Sequence, residues 1–149
     1  MPSEAADTAA RPVAAHLWRN SAAGPLLIGS RCQACGEVFF PQVNGCTRCC
    51  GTELRPYELG GHGVLWSWTI QGFLPKSPPY AGPETPATFK PYGVGYIQLG
   101  DQVIVESRLT TANPDELKIG MEMELVIIPF NKDADGNEVV TYAFAPVKK

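Results

Sequence analysis

All five cysteines of the chain fall within RCQACGEVFFPQVNGCTRCCG, residues 31–51, and four of them form two close pairs, Cys32 with Cys35 and Cys46 with Cys49. A two-residue gap lets both thiolates of a pair face one ion, and two such knuckles complete the tetrahedron that Zn2+ takes in structural sites. The spacing C-x2-C-x10-C-x2-C therefore predicts one structural zinc held by Cys32, Cys35, Cys46 and Cys49. Iron is the competing occupant, because a four-thiolate tetrahedron suits it as well. Disulfides would need an oxidising compartment, which the sequence gives no reason to expect. Four protein ligands leave no open coordination position, so the metal is expected to fold its segment rather than to catalyse.

Cys50 is the odd residue. It stands where the first knuckle has Gly36 and could replace Cys49 in a C-x3-C pair, but symmetry between the knuckles favours Cys49. A nucleophilic Cys50 would need a base or cation beside it, and the chain's two histidines, His16 and His62, sit in no recognisable triad, so Cys50 reads as a spare knuckle residue. Arg31, Arg48 and Arg55 flank the cage, where they can offset the charge of about −2 that four thiolates and one divalent ion carry.

The elements that must position these sulfurs belong to a 149-residue, 16.1 kDa chain, enough for one domain or for two very small ones sharing a core. With 44% hydrophobic and 18% charged residues, 15 glycines and 14 prolines, it is turn-rich, and it is neither disordered nor a coiled coil by composition. A net charge of −3, with no segment forming a basic stripe, disfavours nucleic acid as a partner, since such binding rests on Lys and Arg displacing counterions. No run approaches the roughly 20 apolar residues of a membrane helix. The opening MPSEAADTAARP lacks the order of a signal peptide, so a cytoplasmic protein with no membrane association is expected.

Along the chain, residues 1–12 read as a disordered lead-in and 13–29 as an N-terminal helical segment stopped by Gly24 and Pro25. A helix this short is marginal alone, so Leu17 and Trp18 are expected to dock on another chain. Residues 30–59 form the zinc ribbon. From 60 to 149 the texture is that of strands: GVLWSWTIQGF places Val64, Trp66, Trp68 and Ile70 on one apolar face, and GVGYIQL and QVIVESRL form a hairpin. NPDELKIG is a single capped turn with Pro114 at its first position, EMELVII puts Met123, Leu125 and Ile127 on one face, and EVVTYAFAPV ends the chain after a turn at Asp135 and Gly136. Five strands with a short helical turn before the fourth predict a mainly β protein built on an OB-type barrel. NKDADGNE imitates a calcium loop, but Tyr142 stands where the closing Glu belongs, so it reads as a hairpin turn. The glycines of GHG and GVG lack the setting of a dinucleotide fingerprint and read as bulges or barrel corners.

Between Phe73 and Tyr92 lie six prolines, with Lys76, Tyr80, Phe89 and Lys90 among them, in a length of loop that is either functional or a solvated insertion. Aromatic side chains on an OB surface form stacking platforms. Trp66, Trp68, Phe73, Tyr80 and Phe89 are the candidates here, although Trp66 and Trp68 read first as barrel core. Lys76, Lys90 and Arg108 are candidate partners for phosphates, set against an ordinary solvated role.

The order LWRNSAAGPLLIGSRCQACGEVFFP, CTRC, GHGVLWSWT, PYGVGYIQL, ELKIGMEMELVI and a terminal FAP, covering about His16 to Pro146, resembles a family of small acyl-CoA-associated proteins. The resemblance implies an N-terminal helix, a rubredoxin-like zinc ribbon and a C-terminal OB-fold. It also implies a non-catalytic accessory subunit of a thiolase-like enzyme, in a hetero-oligomer where the OB domain frames the acyl-CoA route and the partner supplies the catalytic cysteine. The substrate would be an acyl-CoA of aromatic, steroid side-chain or fatty type. Gln42 after Pro41, the extra Cys50 and the long proline loop depart from the family pattern. Two other functions fit a ribbon with a barrel: a single-stranded nucleic-acid-binding module, which the acidic balance weighs against, and a rubredoxin-like electron carrier, which would need iron in the cage.

Overall fold

The computed structural model describes residues 10–148. Two sheets share one core. The first is the ribbon sheet: β2 (Trp18–Ser21), β3 (Gly24–Cys32), β4 (Val38–Phe39) and β5 (Leu54–Gly60). β3 is its spine, with β2 and β4 antiparallel along its length and β5 paired from Leu27↔Gly60 to Cys32↔Leu54.

The second sheet closes on itself. β6 (His62–Gln71), β7 (Tyr92–Leu99), β8 (Val103–Leu109), β9 (Glu122–Lys132) and β10 (Glu138–Pro146) pair in the order β9-β6-β7-β8-β10, and β10 returns to β9. That is the five-stranded Greek-key barrel of an OB-fold. The seam between β8 and β10 is narrow, parallel and centred on Phe144↔Leu109. The expected hairpin β7–β8 forms, and a 3-10 turn at Pro114–Glu116 precedes β9, with Asn113 capping it through its side chain to the Asp115 amide. The β9–β10 hairpin turns at Gly136, where φ is +84°, and the Asp133 side chain accepts from the Asp135 and Asn137 amides at 2.9 Å each. Those amides, the Asn137 one above all, hold the Asp133 carboxyl below its ordinary range against the opposing effect of burial. NKDADGNE is thus a carboxylate-capped hairpin.

The N-terminal segment differs from expectation. Ala10–Pro12, placed by the sequence in a disordered lead-in, form β1 and pair in parallel with Glu138–Val140; residues 1–9 lie outside the described residues. The segment 13–29 is not helical: Trp18–Ser21 folds back on Gly24–Leu27 as a hairpin, and so belongs to the ribbon sheet. Three features explain this. Gly24 takes φ +115°, and the Ser21 hydroxyl donates to the Gly24 carbonyl at 2.7 Å while accepting from the Ala23 amide. The extended form also brings Trp18 edge-on to Tyr142 of the barrel, ring centroids 6.5 Å apart, a burial that outweighs the small propensity of so short a helix.

The core is centred on Leu65, Ile97, Val105, Leu109, Met123, Leu125 and Phe144 from the barrel, and Leu27 of β3 is buried among them. Two glycines permit the close approaches this requires. A Cβ on Gly61 would lie 2.6 Å from the Pro25 carbonyl, at the joint between the sheets, and one on Gly93 would lie 2.3 Å from that of Thr111. Among the described residues, no helix is long and apolar enough to cross a membrane.

Candidate metal centre and barrel groove

The four sulfurs of Cys32, Cys35, Cys46 and Cys49 all lie within 4.8 Å of one another. Cys32 and Cys49 approach to 3.6 Å, as do Cys35 and Cys46. A tetrahedron with Zn–S bonds of about 2.3 Å has edges of about 3.8 Å, so the cage fits Zn2+ and its occupant is a structural zinc. The first knuckle runs off the end of β3 and the second precedes β5. In each, the amide after the pair turns back to its first cysteine: Gly36 N–H donates to the Cys32 carbonyl and Cys50 N–H to the Cys46 carbonyl, both at 2.9 Å.

Amides directed at the sulfurs, with that of Cys35 foremost, bring the Cys32 thiol down to about 6. Cys49 goes the other way: the Gly51 amide lowers it, but the crowding sulfurs of Cys32 and Cys35 push it up to about 12. Cys35 is likewise raised, because burial and the Cys46 sulfur overcome the Glu37 amide. Four thiolates this close cannot all ionise without a cation among them, so zinc uptake expels protons and tightens as pH rises. Of the flanking arginines, Arg31 lies against the Gly36 end of the first knuckle and over the Tyr57 ring, directly across the sheet from Arg55, while Arg48 pairs with Glu37 at 4.0 Å.

The structure also explains Cys50. Gly36 has φ +80° and Cys50, its counterpart, has φ +64°, so the knuckle demands a left-handed residue and receives a cysteine. A side chain there costs about 1 kcal/mol relative to glycine. Cys50→Gly is expected to retain the full zinc content and to raise Tm by roughly 2–4 °C, read by thermal melting of the metal-loaded protein.

On the barrel, the outer face of β6–β8 and the proline loop enclose a groove in two lobes. The larger, about 670 Å³, is lined by Trp68, Lys76, Tyr80, Tyr92, Tyr96 and Glu106 among others. The smaller, about 510 Å³, shares Tyr80, Tyr92 and Glu106 and adds Arg108, Phe130 and Tyr142. Arg108, in the smaller lobe, is tied to two of the residues that both lobes share. Its guanidinium lies 3.7 Å over the Tyr92 ring and donates to the Tyr80 hydroxyl at 3.0 Å, and that hydroxyl donates to Glu84 at 2.9 Å. Burial pushes the Tyr80 phenol up, the Arg108 charge opposing and Glu84 adding, so the phenol stays protonated and the relay intact. Burial also raises Tyr142, whose hydroxyl donates to the Glu106 carbonyl. The loop is anchored at its middle by Asn131, which donates to the Ala81 carbonyl at 2.7 Å.

Of the candidate ligand residues, the structure brings Lys76 and Tyr80 to the larger lobe and Arg108, bonded to Tyr80, to the smaller, while Trp68 borders the larger lobe but packs against the barrel core. Phe89 packs on Tyr92 from behind, and Lys90 and Phe73 are exposed outside the groove lining. Trp66 departs from the expectation of core: it is 53% exposed. A β-bulge between Leu65 and Ser67 reverses the alternation within β6, so that Leu65 is buried before it and Trp68 and Ile70 pack inward after it. Leu17 and Trp18 are half-buried within this chain, Trp18 against the barrel core. Tyr92, Tyr96, Glu106 and Phe130 were not singled out by the sequence. The outward positions of β7 and β8, once their register is known, place the first three on the face the loop covers.

Residues 25–55 match the family model described as the ChsH2 rubredoxin-like zinc ribbon domain, and residues 57–127 that of the ChsH2 C-terminal OB-fold domain. A DUF35 domain-containing scaffold protein of Pyrococcus furiosus is 32% identical over 133 residues, covering 89% of this chain and 91% of that protein. The chain belongs to the DUF35 family. Another relative of this DUF35 protein is the benzoylsuccinyl-CoA thiolase subunit BbsA of Thauera aromatica, 30% identical over 123 residues and covering 83% of this chain and 78% of that one. Among solved structures, the DUF35 fold recurs in an Ltp2-ChsH2(DUF35) aldolase, with a TM-score of 0.58 at 23% identity over 81% of this chain and 84% of that one.

Proposed function

We propose that the protein is a non-catalytic accessory subunit of an acyl-CoA enzyme whose catalytic chain is thiolase-like, and that its barrel groove frames the CoA ester. The observation that carries this reading is the similarity, over most of both chains, to a protein named as a thiolase subunit. Two physical features support it. The sulfur cage is closed, with all four positions filled by protein, so the metal has scaffold chemistry only. The groove offers aromatic faces at Tyr80 and Tyr92 for an adenine ring or acyl chain, and Lys76 and Arg108 for phosphates. Arg108 has five N–H donors and spends one on Tyr80, so donors remain for an anion.

The test is reconstitution with a thiolase-fold subunit from the same gene neighbourhood and assay of CoA-ester cleavage. Both chains should be required, and this chain alone should turn nothing over; full carbon–carbon bond chemistry by the isolated chain, or a catalytic subunit indifferent to it, would reject the reading. In the reconstituted enzyme, Arg108→Gln is expected to raise KM for the CoA ester about tenfold with little change in kcat, the cost of a lost charged hydrogen bond made equally in ground and transition states.

A further inference from the structure

The bulge in β6 does more than reverse its alternation: it turns an indole outward. Trp66 stands 53% exposed and meets Tyr96, 45% exposed, edge to face at 6.3 Å. Val64 and Ile104, at 40% and 42%, lie one row along the same outer face, joined through Gln98, which pairs with both. Ile119, 71% exposed, precedes Gly120, whose amide donates to the Leu65 carbonyl beside the bulge. None of these side chains is needed by the barrel core. An exposed tryptophan and tyrosine amid aliphatic neighbours is the composition of an interface centre.

The rim carries the sign of the partner. Glu106 pairs with Tyr96 on β8, Glu122 pairs with Val64 on β9, and Asp101 shares a groove with Val64 and Glu122 at the hairpin end, beside His62. Lys118 is the basic neighbour, next to Ile119 in the chain. A second copy seated isologously here would bring these carboxylates face to face, so charge disfavours self-association and favours a chain with Lys and Arg around an apolar recess. Tyr96 and Glu106 belong to this patch and also line the larger lobe of the groove, so a chain seated on the patch lies at the groove's open side.

We infer that the outer face of β6–β8 around Trp66 is the surface on which the thiolase-like catalytic subunit seats, through an apolar recess rimmed by basic side chains. This rests on the function proposed above and adds to it where the two chains meet.

The experiment uses the full chain, zinc-loaded, with the thiolase-fold subunit of the reconstitution, and measures Kd by titration calorimetry for wild type, Trp66→Ala, Glu122→Lys and a ribbon control, Val43→Ala. Zinc content and Tm verify that each variant is folded, and Glu122→Lys, a solvent-face change, reports even where Trp66→Ala is destabilised. Trp66→Ala is expected to weaken binding about 30-fold or more, Glu122→Lys about tenfold with slowed association, and Val43→Ala not at all. If wild type does not bind the catalytic subunit, the accessory-subunit reading fails and the docking surface with it. If wild type binds and both Trp66→Ala and Glu122→Lys bind as tightly, the function stands and this surface is wrong. A wild-type homodimer that Trp66→Ala dissociates would assign the patch to a second copy and equally overturn the inference.

Discussion

Replacing Cys32 by serine is expected to abolish zinc binding and unfold the ribbon, the largest effect any single substitution in this chain should have. The ribbon sheet has four strands, two of them only two and four residues long, too little structure to offset its chain entropy by burial. Zinc in such sites supplies about 10–16 kcal/mol of folding free energy. Cys32 is 1% exposed at the end of β3, and its backbone also holds the first knuckle, with its amide on the Glu37 carbonyl and its carbonyl on the Gly36 amide. A serine hydroxyl there stays protonated at neutral pH and is a poor ligand for a thiolate site. Purified Cys32→Ser should contain almost no zinc by elemental analysis against one per chain in wild type, and the amides of β3–β5 should lose their exchange protection. Cys50→Ser is expected to keep the full metal content; if it emptied the site while Cys49→Ser did not, the ligand set would be wrong. Because Cys35 and Cys49 hold protons in the metal-free cage and none when zinc is bound, chelators should strip wild type faster as pH falls.

The ligand set was legible because metal coordination is local: C-x2-C fixes two sulfurs within one tight turn, whatever the rest of the chain does. The five barrel strands, the Asn113-capped turn and the Asp133 hairpin were legible for the same reason, each being set by period or turn chemistry within a dozen residues. What escaped was set at long range. Trp18 is held extended by Tyr142, some 120 positions later in the chain, so a segment that looks helical in isolation becomes a strand. The bulge at Trp66 leaves no mark in GVLWSWTI, where Val64, Trp66, Trp68 and Ile70 read as one unbroken apolar face, and only pairing with β7 decides which residues face in. The groove was half legible. Its loop side was conspicuous from proline content, whereas Tyr92, Tyr96 and Glu106 join it only through strand register.

Leu27→Ala is the other substitution expected to act far beyond its own site. Leu27 belongs to the ribbon by backbone, pairing with Trp18 in β2 and Gly60 in β5, yet its side chain is fully buried in the barrel core with Leu65, Ile97, Met123 and Phe144. Truncation should cost about 2–5 kcal/mol, a large part of the 5–15 kcal/mol total typical of a domain. The manner of the loss is the sharper test. The shared side chain makes ribbon and barrel melt together, so wild type should show one calorimetric transition, and Leu27→Ala, still zinc-loaded, should show two. Phe144→Ala removes a larger side chain, carried by a barrel strand, and should lower the single transition without splitting it. Should Leu27→Ala also melt in one step, the coupling must run through Trp18 and Phe40 against Tyr142 instead, and Tyr142→Ala would then be the variant that separates the two units.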